Sequence, residues 1–135
     1  MNSPVMEKGS LPLRMENITP ILCVKDMAIS RAFYIGILGF KEAEWGDDNF
    51  TAINRDNTGI YLCRNGQGQP RTWIWMGFDG DMHLLHKSLK EKGVKIRMEP
   101  TNFSYALEMH IEDADGHVLR LGTDPDESLP FVEYK

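Results

Sequence analysis

Glu108, His110 and Arg120 stand within one stretch, "LEMHIEDADGHVLRLG" at residues 107–122. A carboxylate, an imidazole and a guanidinium so close in sequence suggest three kinds of chemistry. The histidine can pass a proton, the carboxylate and imidazole can hold a divalent cation, and the arginine can meet a ligand carboxylate, phosphate or aromatic ring. The stretch reads as two strands joined by a turn at Asp113, Ala114, Asp115 and Gly116, because Asp favours such turns and Gly supplies the positive φ. Side chains alternate along a strand, so Met109 and Ile111 share one face with Leu119 and Leu121. Glu108, His110, Val118 and Arg120 then share the opposite face. Arg120 has two readings there: an ion pair with Glu108 or Glu112, or a ligand contact, and the two are compatible. For His110 a hydrogen-bonded wall position fits better than a general base. His83 and His86 belong to a helix, and His117 to the turn.

"RTWIWMGF" at 71–78 poses a second question of facing. Trp73 and Trp75 alternate with Ile74, Met76 and Phe78. Either the indoles or the aliphatic set must face the core, and the aliphatic set suits a core better. Both indoles then line a cleft with Tyr61, which makes an aromatic-walled pocket. Phe50 or Phe103 can join them. The chain shows no phosphate-cradling glycine loop, no Ser-His-Asp arrangement and no cysteines at zinc spacing. Cys23 and Cys63 lie in apolar strand-like contexts and read as small buried hydrophobes.

The elements that must position these residues come in a repeat. "ITPILCVKD" is a strand ending at Asp26, which caps the helix "MAISRAFYIGIL" with Ile29, Ala32, Phe33, Ile37 and Leu38 inward; Gly39 stops it. "FKEAEW", "NFTAIN" and "GIYLCR" follow as strands. After the linker "NGQGQPR" the order returns: strand "TWIWMGF", helix "GDMHLLHKSLKEK" with Leu84, Leu85 and Leu89 inward, strand "VKIRME", and the terminal hairpin. The chain thus reads as β-α-β-β-β twice, about 50 residues per copy. Residues 1–17 form an N-terminal arm, read as a frayed terminus or as a segment docking on a partner subunit. Residues 18–124 form one domain of two modules, about 18–66 and 72–122, and 125–135 a C-terminal tail. With 135 residues, 41% of them hydrophobic, one domain with a real core is expected. The net charge of −5 argues against general nucleic-acid binding and suits a cationic ligand. No run of membrane-spanning or signal-peptide length is seen, so a cytoplasmic protein is expected.

This layout resembles the vicinal oxygen chelate superfamily, which holds glyoxalase I, extradiol dioxygenases and bleomycin-resistance proteins. Three stretches carry the likeness, over roughly residues 18–124: "VKDMAISRAFYIGILGF", "LKEKGV" and "LEMHIEDADGHVLRLG". The bleomycin-resistance branch is nearest, with Met109 in place of its usual aromatic. The resemblance implies an α+β fold of two βαβββ modules, a curved mixed sheet around a cleft, and a homodimer. It also implies a divalent metal held by up to four strand residues in the enzymes. Those positions fall here on Thr19, Tyr61, Trp73 (or Trp75 if the register slips by two) and Arg120, which cannot assemble such a site. The expectation is therefore a protein with no metal or other cofactor that binds a small antibiotic-like or aromatic molecule through Thr19, Tyr61, Trp73, Trp75, Glu108, His110 and Arg120, in an antibiotic-resistance role. Bleomycin would suit the acidic chain, whereas the cleft arginine argues for an anionic group on the ligand. The alternative is a metal-dependent lyase, isomerase or dioxygenase using Glu108, His110 and Glu112.

Overall fold

Each module opens with a strand that runs into an aspartate-capped helix, and the cap sets the phase of everything after it. The structure, a computed structural model, describes residues 12, 14, 16–69 and 71–133; most of the expected N-terminal arm lies outside them. Strand β1 (Ile21–Val24) leads to helix α1 (Met27–Arg31), where the Asp26 carboxylate accepts the Ala28 and Ile29 amides. A π-helical turn, Ala32–Ile37, continues α1, and Gly39 ends it at φ +77°. Strands β2 (Lys41–Glu42), β3 (Phe50–Arg55) and β4 (Thr58–Arg64) complete the first module. The second has β5 (Trp73–Gly77), α2 (Met82–Glu91) capped by Asp81, β6 (Lys95–Asn102), β7 (Leu107–Glu112) and β8 (Val118–Thr123).

The two sheets repeat one topology, β1-β4-β3-β2 and β5-β8-β7-β6. In each, the first strand runs parallel to the last and the others pair antiparallel. This is the expected pair of βαβββ modules in an α+β fold. Leu22, Val24, Ile53, Ile60 and Leu62 of the first sheet join Met109, Ile111, Leu119 and Leu121 of the second in one buried cluster.

Phe33, Ile37, Leu38, Leu85 and Leu89 pack toward the core as expected, whereas Ile29, Ala32 and Leu84 do not. Ile29 is 54% exposed and Leu84 66%, whereas Met27 and Met82 are buried. The reason is the same twice: the residue following each capping Asp turns inward, and a position two later points about 200° away. The π turn adds a local effect, since its wider winding lets the adjacent Phe33 and Tyr34 both face inward. The expected strand "FKEAEW" shrinks to Lys41–Glu42, leaving Trp45 in the following turn.

The modules are joined through the β7–β8 turn. Tyr34 donates its hydroxyl to Asp113 Oδ2 at 2.7 Å, while Asp113 Oδ1 accepts the amides of Asp115 and His117. His117, read from sequence as a mere turn residue, is 2% exposed. Its Nδ1 accepts the Thr72 amide at 2.9 Å and its Nε2 donates to the Cys23 carbonyl at 2.7 Å. Burial, and then the nearby Asp113 carboxylate, push the Tyr34 phenol well above its ordinary pKa, so it remains a donor. At the other end of the sheet, Asn102 clamps the C-terminal tail. Its amide donates to the Asp126 carbonyl and its carbonyl accepts the Asp126 amide, both at 2.8 Å. Phe103 then bridges to Val132. No helix among the described residues is long and apolar enough to cross a membrane.

Candidate functional site

Strand pairing brings five of the seven expected site residues onto one face of the second sheet. His110 lies opposite Arg120 and Glu108 opposite Gly122, while Trp73 and Trp75 pair with Val118 and Arg120 on the parallel neighbour. Ile74, Met76 and Phe78 pack against the core, so the indoles take the outer face, 51% and 49% exposed.

Glu108 is the anchor of this face and is fully buried. Arg120 grips it with a fork, Nε to Oε2 at 3.0 Å and Nη2 to Oε1 at 3.1 Å. His110 Nε2 donates to Oε2 at 2.6 Å, and Tyr105 adds a further hydrogen bond. Burial alone would raise the carboxyl pKa and is the largest single effect. The bonds from Arg120, Tyr105 and His110 together outweigh it and hold the group below the usual carboxylate range. Glu108 therefore stays charged, and its charge is met by a guanidinium instead of a cation from solution. Arg120 is thus paired as well as exposed to the face.

The aromatic groups complete the surface. The Arg120 guanidinium lies over the Trp75 ring, 5.3 Å from its centroid, and Arg97 lies over Trp73 at 5.1 Å. Trp73 also meets His110 edge-on at 5.6 Å. Gly122 provides the seat for Trp75, because any Cβ at that position would run into the indole. Lys95 and Arg97 reach Glu112 at 3.3 and 3.4 Å. Among the described residues the face therefore carries three cations, Lys95, Arg97 and Arg120, against two carboxylates, Glu108 and Glu112.

The other two expected residues lie on the first module. Tyr61 belongs to a separate aromatic cluster with Trp45 and Phe50, ring centroids 5.4 to 6.2 Å apart. Thr19 precedes β1, with its hydroxyl toward Asn17. Phe103 is buried and stacks on Tyr105. Within one chain the aromatic residues expected to line a cleft together thus form two patches on two sheets. Two concavities of about 400 and 420 Å³ lie elsewhere, one beside the β7–β8 turn and one beside Gly39 and Arg55. Neither includes the tryptophans. Trp45, Arg97 and Tyr105 escaped the sequence reading. Trp45 and Tyr105 sit in turns, and Arg97 falls at a register shift between Ile96 and Met98, where strict alternation gives no facing.

A divalent metal does not fit these residues. At the positions that the resemblance assigns to ligands stand a hydroxyl, a phenol, an indole and a guanidinium, and the last two offer no lone pair. Both oxygens of Glu108 are occupied by Arg120 and His110. Among the described residues, no three or more His, Cys, Asp and Glu gather as an ion site.

Comparison with solved structures shows the same architecture in other proteins. A virulence protein of Salmonella typhimurium superposes with a TM-score of 0.70 at 17% identity, over 83% of this chain and 99% of its own. A glyoxalase/bleomycin resistance protein/dioxygenase from Nocardioides gives 0.68 at 13%, over 90% and 92%. Lactoylglutathione lyase from Agrobacterium tumefaciens gives 0.66 at 12%, over 81% and 94%. No curated protein matches the chain in sequence. The family model for the glyoxalase/bleomycin resistance protein/dioxygenase superfamily matches residues 15–121, nearly the whole domain. With two βαβββ modules and that match, the chain belongs to the glyoxalase/bleomycin resistance protein/dioxygenase superfamily.

Proposed function

We propose that this chain binds a small planar aromatic compound bearing an acidic group, on the tryptophan face of its second sheet and without a divalent metal. The observation that carries this reading is Arg120. It occupies the position where the resemblance places a metal-binding glutamate, and there it neutralises Glu108 and lies over Trp75. Half-exposed indoles backed by guanidinium groups suit a flat ring. The excess of one cation at the rim, with Arg97 nearly half exposed, suits an acidic substituent. An aromatic antibiotic of that chemistry is one such ligand, and sequestration needs no catalytic group.

The face is open in one chain, so a second copy closes it in this reading. The aromatic patch around Trp45 and Tyr61 is the counterpart that a homodimer would supply. Quenching of tryptophan fluorescence by a panel of benzoates, aryl phosphates and aromatic antibiotics tests the proposal. Saturable binding of the acidic members is expected, weakened about tenfold by Arg97→Ala through loss of a charge-assisted contact worth about 1.5 kcal/mol. An equal response to acidic, neutral and cationic analogues would remove the anionic assignment.

A further inference from the structure

Nothing in the sequence pairs Cys23 with Cys63, which are 40 residues apart. The fold does. They are register partners on the parallel strands β1 and β4. Side chains alternate along a strand, and Leu22 and Leu62 are fully buried on the core side, so both thiols emerge together on the other face. Tyr61 shares that face, and Phe50 is the register partner of Cys63 on β3. Neither cysteine is in a disulfide, and both are half-buried, unlike the buried hydrophobes expected from sequence. The turn after β4 wraps this corner. A Cβ on Gly66 would come within 2.9 Å of Cys63 Sγ, and one on Gly68 would run into the Cys23 amide.

Two thiols placed in this way can be joined. A disulfide spans Cα atoms about 4.4–6.8 Å apart, and register partners on neighbouring strands, about 4.8 Å apart, fall inside that range. The strand it would fasten is an edge: among the described residues β1 pairs with β4 alone. The same stretch holds the modules together, since the Cys23 carbonyl accepts from His117 Nε2 and the Lys25 amide donates to Asp115 Oδ1. We propose that Cys23 and Cys63 form a reversible disulfide that ties β1 to β4, with a small-molecule disulfide as the oxidant. One cysteine thiolate attacks the oxidant, forming a mixed disulfide and releasing one small thiol. The other thiolate then attacks the protein sulfur of that mixed disulfide, closing Cys23–Cys63 and releasing the second small thiol. Two protein thiols are oxidised and one small disulfide is reduced. Because the pair is half-exposed and not sealed in the core, an excess of small thiol reopens the bond. The pair lies on the first sheet and does not depend on the function proposed for the tryptophan face.

The test equilibrates the full-length chain in buffers that run from fully reduced to fully oxidised glutathione. Acid quenching, alkylation with iodoacetamide and mass spectrometry of the intact and digested chain then read the thiols. Expected in the oxidising buffers are a loss of two hydrogens, no alkylation at either cysteine, and one peptide linking β1 to β4. Excess reduced glutathione should restore both thiols. The fold aligns the pair and the bond restrains the unfolded chain, so the bonded fraction should fall in denaturant and the oxidised chain should melt several degrees higher. Cys23→Ser and Cys63→Ser should each retain glutathione on the remaining cysteine, because no second thiol displaces it. Circular dichroism reports whether the variants fold, and the result on the unmutated chain stands either way. Both thiols alkylated in the most oxidising buffer, or glutathione retained on the unmutated chain, overturns the proposal. So does a bond found only between chains, or one that excess reduced glutathione cannot open.

Discussion

Glu108 shows how a single buried charge can organise one face of a sheet. Its carboxylate has no contact with water, yet four hydrogen bonds from three side chains and its depressed pKa keep it ionised. Removing a partner from such a group is far costlier than never having buried it. Arg120→Ala should therefore destabilise the chain by about 3 kcal/mol in chemical denaturation, the loss typical of a broken buried pair. Arg120→Lys should recover little, since an ammonium cannot reproduce the fork. The same group gives a pH signature. Because the folded-state pKa is lowered, the stabilisation is fully present above the ordinary carboxylate range and disappears as pH falls below it. Glu108→Gln should remove that acid-side component, as read by thermal unfolding at stepped pH. Much of this site was legible in advance, because β alternation and the turn at Asp113–Gly116 place Glu108, His110 and Arg120 together whatever the fold. Tyr105 was not, since a loop residue has no periodicity to orient it.

At the level of elements, the second sheet works because small residues leave room for large ones. Gly122 lies under the Trp75 indole, so Gly122→Ala must displace the ring. The expected outcome is a changed near-ultraviolet dichroism and a weaker ligand response at little cost to the fold. The inter-module joint makes a second prediction. Tyr34→Phe keeps the buried ring but leaves Asp113 Oδ2 without its hydroxyl donor, which should cost about 1–3 kcal/mol in denaturant. The strands and the repeat could be read from the sequence because their turn residues and two-residue alternation are strong signals. The helix faces could not be read so well. Ile29 and Leu84 look like core residues by composition, but the capping aspartates fix a phase that turns Met27 and Met82 inward instead. His117 was missed for a related reason: its partners, the Cys23 carbonyl and the Thr72 amide, are backbone groups that only the packed modules bring to it.

For the whole molecule, the two sheets of one chain expose two aromatic patches, where the residues of both were expected to line one cleft. The repeat predicted a cleft, but a repeat cannot say whether its two halves close on each other or on a second copy. The proposed dimer predicts a sedimenting species of twice the 15.4 kDa chain mass, with Trp73 and Trp75 protected from quenching by acrylamide relative to a dissociated monomer. Ligand binding by the tryptophan face with no divalent metal is the central proposal. Its direct test is to titrate the purified full-length chain with the acidic aromatic compound that quenches best, first with a metal chelator present and then with added zinc, nickel, manganese or iron(II). One saturable site with the same affinity is expected in every case. Binding that vanishes in chelator and returns with a divalent ion would contradict it.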